Sequence, residues 1–193
     1  MTTLPIQAGP GHSHAVHFYS DRAAMGSHVA RFLLEGLDRG ETVLVVAAES
    51  THQDTRHHLA ARLPQFGTLP NYIAVDADEL LSNFLVDTKP DRTHFFEVMD
   101  HILAKPSRAG RPIRVYGEMV ARLCHAGLPD AALQLEELWN LLAERYQFSL
   151  LCAYPKNLFE PYDTEWFLQT CALHSHLSVV ADRAPQLSTS QAD

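Results

Sequence analysis

The sequence predicts a three-layer α/β domain with a mostly parallel central sheet of at least five strands. Short β-branched or aromatic runs alternate with segments of helical period along most of the chain. Two of these runs, Val43–Ala48 and Leu150–Tyr154, are continuously apolar, as strands covered on both faces are. Repeated strand–helix–strand order places helices on both sides of a parallel sheet.

The elements follow in order. His14–Tyr19 reads as the first strand, and Met25, Val29, Phe32, Leu33 and Leu37 mark one face of a helix. Gly36 and Gly40 punctuate its end, and Thr42–Ala48 is the second strand. A helix over Thr51–Leu63 and a strand at Tyr72–Val75 come next. Asp76-Ala-Asp-Glu79 has the spacing of a capping box and opens another helix. Asp91 caps a helix running to about Ala104, and Pro112–Tyr116 is the fourth strand. Met119–Cys124 is a short helix that stops near Gly127. Pro129 starts a long helix with a core stripe of Leu135, Leu138, Leu142 and Tyr146. Phe148–Tyr154 is the fifth strand, and Asp163 caps a last helix carrying Trp166, Phe167, Thr170, Cys171 and Leu173. Residues 1–13 and 180–193, without periodicity and with Gly9-Pro10-Gly11 and Ala184-Pro185, are expected to be flexible tails around a domain at 14–179.

Bulk composition narrows the function classes. The 193 residues suit one domain, and 46% hydrophobic with 20% charged residues is a globular composition. The formal net charge of −8, with no long basic run, disfavours nucleic acid and anionic membranes as partners. Full protonation of the 12 histidines would reverse that sign, so surface charge is sensitive to mild acid. No apolar run is long enough to span a bilayer, and Met1–Pro10 lacks the basic start of a secretory leader. A cytoplasmic protein is expected. Cys124, Cys152 and Cys171 are far apart, without a CxxC pair, and read as reduced core thiols.

The carboxyl ends of parallel strands are where such folds usually place their working site. That rule nominates Tyr19, Glu49, Asp76, Gly117-Glu118 and Tyr154. Glu118 ends a buried strand, where desolvation can perturb its pKa; alternatively it caps the helix that follows. Glu136, Trp139 and Asn140 share one side of a helix and can line a pocket, or Trp139 can belong to the core with the other two solvated. His14 and Tyr19 bracket the first strand and complete the candidate ligand-binding set. Asp76 reads as a helix cap. His174 and His176, two apart on a helix, point in different directions, and neither His57-His58 nor the His12/His14/His17 group has an acidic or Cys partner at zinc spacing. No metal, no cofactor and no catalytic constellation are expected.

Six stretches resemble the MEDS domain (methanogen/methylotroph, DcmR sensory domain). They are His14-Ala-Val-His-Phe-Tyr19, Phe32-Leu-Leu-Glu-Gly-Leu-Asp-Arg-Gly-Glu41, Val115-Tyr-Gly-Glu-Met-Val120, Leu135-Glu-Glu-Leu-Trp-Asn140, Leu150-Leu-Cys-Ala-Tyr-Pro155 and Cys171-Ala-Leu-His-Ser-His176, the last similar to the family's closing helix. The resemblance runs from about His14 to Val179. It implies a stand-alone signal-input domain that binds a small organic ligand, such as a hydrocarbon derivative, or a regulatory partner. A histidine kinase or transcription regulator, or self-association, would then carry the output.

The family in turn resembles RecA/KaiC-type ATPases. Glu49-Ser50 falls where those enzymes end the second strand in an acidic pair, and Pro112–Glu118 where their Walker B strand ends. Ser20-Asp-Arg-Ala-Ala-Met-Gly-Ser27 stands in place of the phosphate loop. It has one glycine and no lysine, and Asp21 would repel phosphate, so ATP hydrolysis is not expected. An enzyme with residual nucleotide binding and a pure protein-interaction scaffold are the competing readings.

Overall fold

A computed structural model describes residues 13–63, 67, 69–159 and 164–179. Its elements are β1 (Ser13–Tyr19), α1 (Arg22–Asp38), β2 (Thr42–Ala47), α2 (Glu49–Ala60), β3 (Tyr72–Asp76), α3 (Ala77–Ser82), β4 (Leu85–Val86), β5 (Lys89–Pro90), α4 (Arg92–Arg108), β6 (Ile113–Gly117), α5 (Met119–His125), α6 (Pro129–Ala143), β7 (Phe148–Pro155), α7 (Thr164–Ala172) and β8 (His176–Val179). Six strands form one sheet in the order β3-β2-β6-β7-β1-β8, and every neighbouring pair is parallel.

Side-chain alternation divides the core into two layers. Ala15, Val43, Val45, Tyr116 and Leu151 pack beneath Met25, Val29, Phe32 and Leu33 of α1 and Leu59 of α2. On the other face Val16, Leu44, Val115, Leu150 and Cys152 pack beneath α3 to α7, with Phe95, Met99, Leu135 and Trp139 at the centre. The central strands β2 and β7 are buried along nearly all their length, which is why they read as continuous apolar runs.

Several boundaries differ from the sequence expectation. The second helix begins at Glu49, two residues early, and α4 continues to Arg108 through Pro106. Gly36 does not end α1. It lies inside the helix, where an added Cβ would come within 2.8 Å of Arg114, and Gly40, at φ +72°, makes the turn. A sixth sheet strand, β8, runs beside β1, so the last helix ends at Ala172 and His174 and His176 do not share it. A small hairpin, β4–β5, turns on Asp87 and Thr88, both at positive φ. Ser13, assigned to the tail, opens β1; Asp163, residues 1–12 and residues 180–193 lie outside the described residues. No helix among the described residues is long and apolar enough to cross a membrane.

A buried ion pair fixes the amino end of the sheet. Arg114, 1% exposed, donates through Nε to Glu41 Oε2 at 2.7 Å and through Nη2 to Oε1 at 3.2 Å. Its Nη1 reaches the Phe32 carbonyl at 2.8 Å, so Arg114 of β6 is tied both to α1 and to the residue that leads into β2. Two-point carboxylate pairing of this kind offsets the cost of burying both charges only when the remaining donors are met.

Candidate functional site

A cleft of about 120 Å³ opens at the carboxyl ends of β1, β2, β6 and β7. The chain leaves β2 through α2 to one face of the sheet and leaves the adjacent β6 through α5 to the other. Such opposed exits open a crevice at the strand ends. Its polar lining includes Tyr19, Arg22, Thr51, Glu118, Arg122 and His125, with Ser50 at its edge beside Arg22.

Glu118 holds the floor. Its Oε1 accepts from Thr51 Oγ1 at 2.8 Å and from the Tyr116 hydroxyl at 3.0 Å, and its Oε2 accepts from the Ala48 N–H at 3.0 Å. The carboxylate therefore does not cap its own helix, α5. It serves the amino end of α2 instead, where a negative charge meets unpaired N–H groups. Burial pushes the Tyr116 hydroxyl well above its ordinary pKa, and the Glu118 charge adds to this. Burial, then Glu118, raises Tyr19 to about 12. Both phenols are thus neutral donors at any ordinary pH.

The connection from β1 to α1 is only Ser20-Asp21, and Asp21 Oδ1 accepts from the Ala23 N–H at 2.8 Å. An anion-binding helix start is therefore capped by the chain's own carboxylate. Arg22 Nη2 donates to Ser50 Oγ at 2.8 Å across the cleft mouth. Glu49 is exposed and bonded to Arg56 at 2.7 Å, outside the lining.

The other nominated residues gather elsewhere. His14, Glu136, Asn140 and Tyr154 meet beneath the opposite face of the sheet, joined there by Cys152 and His174. Glu136 is 0% exposed, so it is not one of the solvated residues of α6. The Tyr154 hydroxyl donates to its Oε1 at 2.6 Å. His14 Nε2 lies 3.1 Å from Oε2, and His174 Nε2 lies 3.3 Å from Oε1. Burial alone would raise the Glu136 pKa, but His174 and then His14 hold the carboxyl far below its usual range. Burial likewise opposes the charge on His174, yet the facing carboxylate keeps its imidazole above the ordinary value. Cys152 is pushed well up, first by burial and then by Glu136.

Trp139 does not join this group. It is 1% exposed and packs edge-on against Phe95 and Phe148, 5.6 and 5.9 Å between centroids. Asp76 is a helix cap, accepting from the N–H groups of Asp78 and Glu79 at 2.9 Å each. Spacing alone could not reveal Cys152 and His174 as partners of His14, because the four residues come from β1, α6, β7 and the turn after α7.

Comparison with curated proteins finds no match. A family model described as MEDS, MEthanogen/methylotroph, DcmR Sensory domain, matches residues 13–174. That span covers every sheet strand but β8 and both residue groups described above, and the chain belongs to the MEDS family of sensory domains.

Proposed function

We propose that this sensory domain detects a small organic molecule carrying an oxygen acceptor, bound in the cleft at the strand ends. The observation that carries this reading is the imbalance of the lining. Three of the roughly four acceptor positions of the Glu118 carboxylate are occupied by Thr51, Tyr116 and Ala48. The Tyr19 hydroxyl and the guanidinium groups of Arg22 and Arg122 supply donors to the same lining, beside Ser50 and His125. A carbonyl, hydroxyl or carboxylate oxygen complements them. The size is also selective: a cavity of about 150 Å³ accommodates benzene, so 120 Å³ suits a molecule somewhat smaller.

We read the cleft as a degenerate form of the nucleotide pocket of RecA/KaiC-type ATPases, a reading that rests on the sequence resemblance to those enzymes. Asp21 at the head of α1 and the two-residue connection before it favour loss of phosphate binding. Ligand binding would be passed on through α2 and α5, which Glu118 ties together, to a histidine kinase, a transcription regulator or a second copy of the chain.

Thermal unfolding in the presence of small alcohols, ketones, amides and carboxylates tests this. A compound at about 100 times its Kd stabilises by about 2.7 kcal/mol, or several degrees in a domain of this size. A response confined to oxygen-bearing compounds, and weakened in Tyr19→Phe, is expected. A flat response across all four classes contradicts the reading, and heat on calorimetric titration with Mg·ATP would favour a nucleotide enzyme instead.

A further inference from the structure

The group beneath the other face of the sheet has its own chemistry. Asn140 Nδ2 donates to the Leu173 carbonyl at 2.9 Å, which turns its Oδ1 toward His14 Nδ1, also 2.9 Å away. An amide oxygen only accepts, so His14 carries its proton on Nδ1 and presents Nε2 inward. His174 repeats the pattern: Nδ1 donates to the Thr170 carbonyl at 2.7 Å. Its Nε2 faces Glu136 but makes no aligned hydrogen bond among the described residues. Fixing the Nδ1 proton with an outer acceptor is how metal-binding imidazoles are oriented.

The inward atoms are His14 Nε2, His174 Nε2, a Glu136 carboxylate oxygen and Cys152 Sγ, all within 4.8 Å of one another. His14 Nε2 is 3.4 Å from Cys152 Sγ, and Cys152 Sγ is 3.6 Å from Glu136 Oε2. With His14 Nε2 3.1 Å from Glu136 Oε2, these three separations outline one face of a tetrahedron, and His174 Nε2 approaches from the other carboxylate oxygen, 3.3 Å from Oε1. Zinc bonds of about 2.0–2.3 Å require edges of roughly 3.3–3.7 Å.

Charge is compatible with this. A carboxylate 0% exposed is costly to bury beside neutral groups; one protonated imidazole balances it without a metal, and an ion can do so with both imidazoles neutral. A divalent ion with one thiolate, one carboxylate and two neutral imidazoles sums to zero. We propose that His14, Glu136, Cys152 and His174 form a closed binding site for a divalent transition-metal ion, zinc by the softness of its sulfur and imidazole donors. The Cys152 thiol proton leaves to solvent as the ion binds. Four protein donors with no open position make this a structural or regulatory centre. It joins β1, α6 and β7 to the turn between α7 and β8, so occupancy governs how the C-terminal segment docks on the sheet.

The untagged full chain, freed of metal under denaturing conditions and refolded with Co²⁺ or Zn²⁺, tests this directly. The expected result is about one ion per chain. The cobalt form should show a thiolate-to-metal charge-transfer band, and X-ray absorption one sulfur and two imidazole nitrogens around the metal. Cys152→Ala should abolish that band, Cys171→Ala should leave it, and Asn140→Ala should weaken binding by about 10–100-fold. Should Cys152→Ala fail to fold, the absorption spectrum of the unaltered chain still decides. A folded chain that retains no metal, or metal without sulfur in its coordination, overturns the proposal.

Discussion

Thr51 Oγ1 donates to Glu118 Oε1 at 2.8 Å, joining the first turn of α2 to the end of β6 across 67 residues of sequence. Because Tyr116 and Ala48 share the same carboxylate, its removal takes a partner from three donors at once and leaves the Tyr116 hydroxyl only the Met25 sulfur at 3.5 Å. An unmet buried donor costs about 1–3 kcal/mol. Glu118→Ala should therefore lower stability by at least about 2 kcal/mol in urea unfolding, and Thr51→Val by about 1 kcal/mol. Equal and small effects would mean that the carboxylate is a solvated lining group and not a clamp.

Gly26 and Gly36 both sit within α1 and should respond oppositely to alanine. At Gly26 an added Cβ meets only His58, 3.7 Å away, so Gly26→Ala should stabilise by about 0.5–1 kcal/mol. At Gly36 it meets Arg114 Cδ and Nε at 2.8 Å, and the guanidinium is held by Glu41 and Phe32. Gly36→Ala should destabilise by about 1–3 kcal/mol as an overpacked site does. Thermal denaturation of the two variants, read side by side, checks the sign of each.

How much of this was legible in sequence depended on burial pattern and distance. β2 and β7 announced themselves because both faces are covered, and Asp76 and Asp91 because a capping side chain acts within three residues of itself. β8 did not: its His-Leu-Ser-Val alternation is only four residues long and lies at the sheet edge, where Leu177 is 56% exposed. The buried pairing of Arg114, within Ile113–Gly117, was not legible, because its partner Glu41 is 73 residues away. The Glu136/Asn140 face of α6 was visible at helical spacing. Its partners His14, Cys152 and His174 were not, since only the sheet order brings β1 beside β7.

His28 gives the fold an acid sensitivity of known sign. It is 6% exposed, stacks on His17 at 4.2 Å between centroids, and has Arg31 Nη2 3.1 Å from Nδ1. Burial, then His17 and Arg31, brings its imidazole down to about 4. The unfolded chain takes up this proton near pH 6.5. The contribution is therefore complete above about pH 6.5 and is lost as pH falls from there toward about 4, with a ceiling of about 3 kcal/mol. Urea unfolding at pH 7.5 and 4.5 should show His28→Gln losing less stability on acidification than the unaltered chain. Parallel losses would contradict this assignment.

Binding of a small oxygen-bearing molecule in the strand-end cleft, as proposed, is read from amide NMR spectra recorded during titration with acetamide, acetate and propan-2-ol. Saturable shifts from at least one of them should concentrate at Tyr19, Arg22, Ala48, Thr51 and Glu118, and fade in Tyr19→Phe. Saturable shifts confined to other parts of the chain, or none with any of the three, would contradict it.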